Sequence, residues 1–226
     1  MTTLIIDGHP NPDSLCAALA RSYQEGNPDS VLLAVRDLDF TPDLVHGMTR
    51  PQPLEPDLVR ARELIEQSAR IVVVTPTWWA SLPPVLKGFL DRTFTTGWAY
   101  RYQNMPFGLR GGIPEGLLAG RRARVVITSD TPRWLLPFFG DHAARMLKNE
   151  VLRFCGIRPV RVTRLGGVRW TTPAQRLAYV DRVRSLGRAD AARPLPPPAP
   201  RPAVRPSTDV EQITAMESEN LLAGSR

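Results

Sequence analysis

The 226-residue sequence has few cysteines, few lysines and no long apolar run. Its two cysteines, Cys16 and Cys155, lie far apart and outside any CxxC pair, so a disulfide framework is excluded and a zinc site is not expected. No stretch approaches the ~18 consecutive apolar residues of a membrane span. The first residues lead at once into a short apolar run and do not resemble a signal peptide. We therefore expect a cytoplasmic protein with no membrane insertion.

Arginine carries nearly all of the positive charge, because only Lys87 and Lys148 among the 29 basic residues are lysines. The formal net charge is +7 and the isoelectric point is about 10.2. Such a balance suits a nucleic acid, a membrane surface or an anionic small molecule as partner. The arginines are scattered, without a run of five basic residues, so we interpret them mainly as compositional bias and expect no nucleic-acid partner. The alternative is that some of them hold the phosphates of a dinucleotide.

Short apolar runs alternate with amphipathic stretches over most of the chain, a pattern that favours an α/β fold. The predicted strands cover residues 4–6, 31–35, 71–74, 125–128 and 160–165, and the predicted helices cover 14–24, 57–68, 85–94, 141–154 and 173–186. This alternation predicts a three-layer sandwich with a five-stranded parallel sheet in the order 2-1-3-4-5. Residues 38–54 and 97–120 are predicted as loops.

The composition changes near Ala189, so we divide the chain into a domain at 1–188 and a tail at 189–226. Seven prolines fall within residues 194–206, which predicts a polyproline-like or disordered segment. A weak helix over 208–222 has little apolar periodicity and is expected to lie outside the core. The tail is interpreted as dispensable, and a segment that docks a partner is the alternative.

In an open α/β sheet, ligands bind beyond the carboxyl ends of the strands, at the point where the strand order reverses. The loop after the first strand leads into a helix N-terminus, which offers unpaired N–H groups and a partial positive charge to a phosphate. His9 and Ser14 add side-chain donors there. A plain turn with a helix cap is the alternative, and the absence of GxGxxG and GxxxxGK[ST] motifs argues against a Rossmann domain or an NTPase.

Two further loops belong to the same edge. After the third strand, the adjacent Trp78 and Trp79 would be costly to leave exposed, and a flat π-rich ligand would give them a partner. Packing on a helix or across a dimer interface is the alternative. After the fourth strand, the polar segment 128–132 suits hydrogen bonds to a ring edge or a sugar.

Several of these segments are similar to the NAD(P)H:quinone oxidoreductase family, whose members are flavoproteins with a flavodoxin-like fold. The similar segments are Gly8-His9-Pro10-Asn11-Pro12-Asp13-Ser14, Pro76-Thr77-Trp78-Trp79-Ala80-Ser81-Leu82-Pro83, Leu86-Lys87-Gly88-Phe89-Leu90-Asp91-Arg92-Thr93-Phe94, Gly97-Trp98-Ala99-Tyr100-Arg101-Tyr102 and Phe154-Cys155-Gly156. The resemblance covers residues 1–187. It implies non-covalently bound FMN or FAD, NAD(P)H as co-substrate, a small-molecule acceptor and a homodimer.

The resemblance also implies roles for individual residues. The flavin phosphate would lie on His9, Ser14, Leu15 and Cys16; the isoalloxazine would lie on Pro76, Thr77, Trp78, Trp79 and Ala80; and its far edge would meet Thr128, Ser129 and Asp130. Tyr100 and Tyr102 would line the acceptor pocket. His142 is the candidate for the histidine that assists hydride transfer, and an ordinary helix-surface histidine is its alternative.

Two positions depart from the family pattern. Cys16 stands where asparagine is usual, which questions one contact on the phosphate side. The fourth loop reads Thr128-Ser129-Asp130-Thr131 where Thr-Thr-Gly-Gly is frequent.

The expected function is hydride transfer from NAD(P)H through bound flavin to a quinone or similar flat acceptor. A response-regulator receiver domain has the same strand order, but it needs an acidic pair after the first strand and a phosphoryl-accepting aspartate after the third. Here the first strand ends in one acid, Asp7, and the third ends in Thr75-Pro76, so this alternative is rejected. The remaining alternative is a flavin-binding accessory subunit that regulates a partner such as a transporter.

Overall fold

The computed structural model describes residues 2–47, 50, 52–104, 112–132, 134, 135, 138, 141–193, 195–198 and 200–202. Its strands are β1 (Thr2–Asp7), β2 (Val31–Ala34), β3 (Ser68–Pro76), β4 (Tyr100–Asn104), β5 (Gly112–Gly116), β6 (Arg122–Thr128) and β7 (Val160–Leu165). Its helices are α1 (Leu15–Gly26), α2 (Pro56–Gln67), α3 (Pro84–Thr93), α4 (His142–Arg145, continued by a π-helical segment, Met146–Arg153) and α5 (Pro173–Ala191). Short 3-10 turns cover Val35–Asp37 and Val168–Trp170.

Five of the strands form one parallel sheet in the order β2-β1-β3-β6-β7. This is the 2-1-3-4-5 order predicted from the sequence, with β6 and β7 as the fourth and fifth strands. The nine residues of β3 are buried throughout, as a central parallel strand that is covered on both faces requires. The order reverses between β1 and β3, which places the crevice for a ligand beyond Asp7 and Pro76.

A hydrophobic core lies on each face of the sheet, so the molecule has the three predicted layers. Helices α2, α3 and α4 cover one face, where Ile71, Val73 and Val125 point toward Leu86 and Phe89. Helices α1 and α5 cover the other face over a smaller core that includes Ile5, Val72, Val74 and Val126. None of the helices described is long and apolar enough to span a membrane.

Residues 97–120 are not a plain loop, and that prediction was wrong. Strands β4 and β5 pair antiparallel there, with Tyr102 opposite Pro114 and an ion pair of 2.6 Å between Arg101 and Glu115. Strand β5 could not be predicted from the sequence, because Gly-Ile-Pro-Glu-Gly has no pattern typical of a strand. A proline is tolerated in β5 because it lies at the edge of a two-stranded ribbon.

Helix α5 runs five residues beyond the predicted end at Leu186. The apolar period stops at Leu186, because the positions buried after it are Gly187 and Asp190. The start of the predicted tail packs on the domain: Arg193 accepts a bond from Arg70 at its carbonyl, and the Arg201 guanidinium lies 5.3 Å from the Trp98 ring centroid. The rest of the predicted tail, residues 203–226, lies outside the described residues, as does the weak helix predicted at 208–222.

Candidate active site

The loop after β1 presents hydrogen-bond donors at the N-terminus of α1. Ser14 caps the helix, since its Oγ accepts a bond of 3.1 Å from the Ala17 N–H and its carbonyl accepts one from Ala18. The N–H groups of Leu15 and Cys16 come earlier and have no acceptor among the described residues. Two N–H groups without an acceptor at the positive end of a twelve-residue helix form a candidate site for an anion.

His9 adds one more donor to this loop. Its Nδ1 accepts a bond of 3.0 Å from the Asn11 N–H, so in the neutral ring the proton lies on Nε2, which is left to donate. Burial lowers the pKa of His9, against the opposing effect of Asp7, and this favours the neutral ring. The ring meets Trp78 edge-on at a centroid distance of 5.5 Å, which joins the first loop to the loop after β3.

Asp7 and Arg36 hold the first loop in place, and sequence reasoning assigned neither of them to the site. The buried Asp7 carboxylate accepts from the His9 N–H at 3.1 Å and pairs with Arg36 at 2.6 Å. Arg36 also donates to the His9 carbonyl at 3.1 Å. An acid that ends a buried strand, together with an arginine just beyond the neighbouring strand, is the signal that could have identified them.

The loop after β3 makes a tight turn that turns a tryptophan outward. Trp78 and Ser81 exchange two backbone hydrogen bonds of 2.9 and 2.8 Å, and Trp79 and Ala80 between them have φ values of 49° and 60°. This left-handed conformation costs about 1–2 kcal/mol per non-glycine residue. Trp79 is 101% exposed, whereas Pro76 is buried and Thr77 is half-buried. Strain of this kind is concentrated at functional sites.

The loop after β6 is largely committed to internal bonds. The Thr128 carbonyl accepts from the Thr77 N–H at 2.7 Å, and the Thr128 hydroxyl lies 3.3 Å from the Cys16 Sγ. Ser129 Oγ donates to the Thr131 carbonyl at 3.2 Å, and Asp130 accepts from the Arg169 N–H at 3.1 Å. These bonds tie the loop to the end of β3, to α1 and to the turn after β7, at the same edge of the sheet as the two tryptophans.

The Cys16 side chain turns away from the phosphate loop. It is 2% exposed and contacts Thr128, and burial raises the pKa of the thiol to about 12, partly offset by the bond from Thr128. The N–H of this residue is the group left without an acceptor at the start of α1, so the departure from asparagine removes no backbone donor.

Tyr100 and Tyr102 project from the same side of β4, and their rings meet edge-on at 5.7 Å. Tyr100 is half-buried against Phe154 at 4.9 Å, whereas Tyr102 is 47% exposed. Within the described part of the chain, His142 is an exposed residue at the start of α4 whose side chain has no hydrogen bond or ring contact. The structure thus joins His9, Trp78, Cys16 and Thr128 by direct contacts and does not join His142 to them.

Aromatic side chains form a rim at the carboxyl edge of the sheet. Four of them are more than two-thirds exposed and come from the segments that follow β3, β6 and β7: Trp79, Trp134, Phe138 and Trp170. Exposed apolar groups of this size are typical of ligand grooves and subunit contacts. The edge therefore combines a donor-rich loop for an anion with flat apolar surfaces beside it.

Comparison with known proteins agrees with this geometry. The family model described as flavodoxin-like fold matches residues 1–187. An uncharacterised NAD(P)H oxidoreductase of Haemophilus influenzae is 29% identical over 191 residues, which cover 80% of this chain and 91% of that protein.

Two solved structures share the fold at lower identity. An NAD(P)H:quinone oxidoreductase from Methanothermobacter marburgensis superposes with a TM-score of 0.68 at 21% identity, over 83% of this chain and 98% of that one. An FMN-dependent NADH-azoreductase from Bacillus anthracis, solved with FMN, superposes with a TM-score of 0.59 at 19% identity, over 84% of this chain and 99% of that one. The chain therefore belongs to the flavodoxin-like family of oxidoreductases that its sequence motifs predict.

Proposed function

We propose that the protein is a flavin-dependent NAD(P)H oxidoreductase that reduces a quinone or a similar flat acceptor. One observation carries the proposal: a loop of free donors at the start of α1 and an outward-facing tryptophan pair open at the same edge of the sheet. The relative from Haemophilus influenzae is named an NAD(P)H oxidoreductase, and the two similar structures are named a quinone oxidoreductase and an FMN-dependent azoreductase.

The residues at this edge fit a flavin phosphate, because they supply several hydrogen-bond donors around the start of α1. The N–H groups of Leu15 and Cys16, the Nε2–H of His9 and the Ser14 hydroxyl would hold that phosphate. Asp7 does not compete, since Arg36 and the His9 N–H already occupy its oxygens. FMN and FAD share this phosphate, so the loop serves either cofactor.

The remaining walls would hold the ring and the acceptor. A bound flavin would supply hydride acceptance from NAD(P)H and reduction of the acceptor. Pro76, Thr77 and Ala80 would present main-chain groups to the ring, and Trp78 and Trp79 would exclude water beside it. Ser129 and Asp130 would meet the far ring edge. Tyr102, with its exposed hydroxyl, would contact the acceptor, and Tyr100 would fix its position through their edge-on contact. A homodimer would cover the aromatic rim.

The first experiment is mass spectrometry of the flavin released from the purified protein by heat, combined with NAD(P)H oxidation in the presence and absence of a benzoquinone. We expect stoichiometric flavin and oxidation that depends on the quinone. A colourless protein that gains no activity from added FMN or FAD would refute the proposal.

A variant tests the phosphate loop itself. His9→Ala removes one donor to a charged oxygen, which is worth about 1.5–3 kcal/mol, so we expect flavin to bind about 10- to 150-fold more weakly. His46→Ala, a histidine outside the three loops, should leave flavin affinity unchanged. Equal affinities in the His9→Ala variant and the parent protein would remove His9 from the cofactor site.

Shortening the chain distinguishes an enzyme from the alternative, an accessory subunit that regulates a partner. A boundary at residue 188 would remove Asp190, which is buried in the domain, so the deletion must begin after the described segment that ends at Pro202. An enzyme that lacks residues 203–226 should keep its NAD(P)H oxidation rate. An accessory subunit should instead lose the binding of its partner when these residues are removed.

A further inference from the structure

A small cavity of about 40 Å³ lies at the edge of the sheet opposite the candidate active site, where β3, β6 and β7 begin. Strand β6 separates the two edges by about 20 Å, at roughly 3.3 Å per residue. The charged groups that line the cavity are five arginines and one aspartate: Arg70, Arg122, Arg124, Arg161, Arg193 and Asp190. The concentration of arginine here contrasts with its scatter in the sequence.

The strand register explains why these arginines converge. In the strand register, Arg70 of β3 lies opposite Arg122 of β6, and Arg124 of β6 lies opposite Arg161 of β7. Residues directly opposite in a sheet share a face, and residues two apart on a strand do so as well. All four guanidinium groups therefore project from one face, beside the end of α5, and Arg193 joins them from the segment that follows this helix.

The charged groups in the inner part of the cavity are paired with each other. Arg124 holds both oxygens of Asp190, at 2.7 and 3.0 Å, and Arg70 lies 3.8 Å from the same carboxylate and donates to the Asp190 carbonyl. The Tyr23 hydroxyl donates the third short bond to Asp190, at 2.6 Å. The two-point contact of Arg124 shows that a guanidinium group of this cavity holds an oxyanion through two parallel bonds.

The arginines in the outer part of the cavity are not paired with an acid. Arg122, Arg161 and Arg193 are exposed, and their side chains have no hydrogen bond or ion pair with any residue that the structure describes. Five guanidinium groups and one carboxylate leave a formal charge of +4 around one cavity. Like charges on neighbouring strands repel each other, so the apo protein carries an electrostatic cost that an anion would relieve.

We propose that this cavity binds a small oligophosphate, with Arg122, Arg161 and Arg193 as its direct ligands. One guanidinium group can donate two parallel hydrogen bonds to the oxygens of a phosphate, and it stays protonated at every physiological pH. The cavity has room for little more than one compact group, and the three unpaired arginines are exposed around it, which suits a small multiply charged anion better than a duplex. The site is independent of the proposed flavin chemistry, since it lies at the other edge of the sheet.

The test measures thermal unfolding of the full chain, saturated with flavin so that the phosphate loop is occupied, against inorganic pyrophosphate at constant ionic strength. We expect a saturable rise in Tm, because a ligand that binds only the folded state stabilises it. Arg122→Gln/Arg161→Gln should bind pyrophosphate at least about tenfold more weakly, since two charge-assisted contacts are lost. Its Tm without ligand should equal or exceed that of the parent, because the repulsion is reduced.

The matched control is Arg60→Gln/Arg182→Gln, which removes two exposed arginines outside the cavity and should keep the full response. If the double variant in the cavity does not fold, Arg193→Gln provides the same comparison with one ligand removed. The proposal is overturned by an unsaturable response to pyrophosphate, by an equal response in the cavity variant, or by equal losses in both double variants. Binding of a duplex oligonucleotide that pyrophosphate does not displace would assign the surface to nucleic acid and also overturn it.

Discussion

Asp190→Asn is the substitution whose consequence the structure determines most directly. The carboxylate is 5% exposed and is the common partner of Arg124, Arg70 and Tyr23, which come from β6, β3 and α1. Asparagine has nearly the same volume but no charge. The variant therefore leaves two buried guanidinium groups without their counter-ion and changes the packing little.

The expected loss follows from the burial of this pair. Removing one partner of a buried ion pair costs about 3–5 kcal/mol, because the remaining charge stays desolvated. For a domain of this size, 1 kcal/mol corresponds to a shift of about 2–4 °C in Tm, so we expect a drop of roughly 6–20 °C. Tyr23→Phe keeps both guanidinium contacts and should cost less, about 1.5–3 kcal/mol.

The stability lost in Asp190→Asn should also depend on pH. Burial alone would raise the pKa of Asp190, but the bonds from Arg124 and Tyr23 outweigh it and hold the pKa below its usual value. A lowered pKa in the folded state means that the stabilisation is fully present above the unfolded pKa of about 3.9 and is lost as pH falls toward the folded pKa. The difference between parent and variant should therefore shrink below about pH 4.

The assay is urea denaturation of both proteins at neutral pH and through the acid range. Asp181→Asn on the same helix is the control, because Asp181 is an exposed partner of Arg184 and should cost less than about 1 kcal/mol. A chain that ends at residue 188 should lose at least as much stability as Asp190→Asn, and a chain that ends at residue 202 should not. A cost no larger than that of Asp181→Asn, or one that is constant with pH, would refute this account of the network.

Three further predictions concern other parts of the fold. Burial raises the pKa of both Cys16 and Cys155 to about 12, so neither thiol should react with iodoacetamide near pH 8 until the protein is unfolded, as mass spectrometry will show. Ala80→Gly should stabilise the protein by about 1 kcal/mol, since glycine adopts a φ of 60° without strain, and denaturation that shows a loss would contradict the turn geometry. Gly116→Ala should destabilise by at least about 1–3 kcal/mol, because its Cβ would lie 2.1 Å from the backbone nitrogen of Gly156, and an unchanged Tm would argue against this close approach.

The sheet and its order were predictable because their signals are local. Four of the five strands of the sheet contain an apolar run, β7 has apolar residues interspersed with polar ones, and the helices between the strands have a clear period. The β4–β5 hairpin was not predictable, because the strand character of β5 comes from its pairing with β4 and not from its own residues. The end of α5 was missed for a related reason: its last buried side chain is an aspartate, whose burial depends on two arginines about 66 and 120 residues earlier in the chain.

The candidate site was expected at the carboxyl edge of the sheet, and the strand order supplies that edge, but the bonds within the site were not predicted. The expected phosphate, ring and acceptor positions rest on the strand order and on loop residues that are near each other in sequence. The contacts Cys16–Thr128 and Asp7–Arg36 join residues from different strands, and no pattern within one segment shows them. Sequence reasoning therefore treated Cys16 as a weakened phosphate contact, whereas its side chain contacts the end of β6.

Cys16→Asn tests this interpretation of the first loop. The thiol lies in the core between α1 and the sheet, and the Thr128 hydroxyl is its hydrogen-bond partner among the described residues. An asparagine amide there would have more donors and acceptors than Thr128 can satisfy, which costs about 1–3 kcal/mol. Flavin affinity should not change, because the N–H of residue 16 is the group that faces the phosphate loop. Cys16→Ala, which adds no polar group, separates this cost from the loss of the thiol. Tighter flavin binding in the Cys16→Asn variant would show instead that the side chain at position 16 reaches the phosphate, and the backbone account of the loop would be wrong.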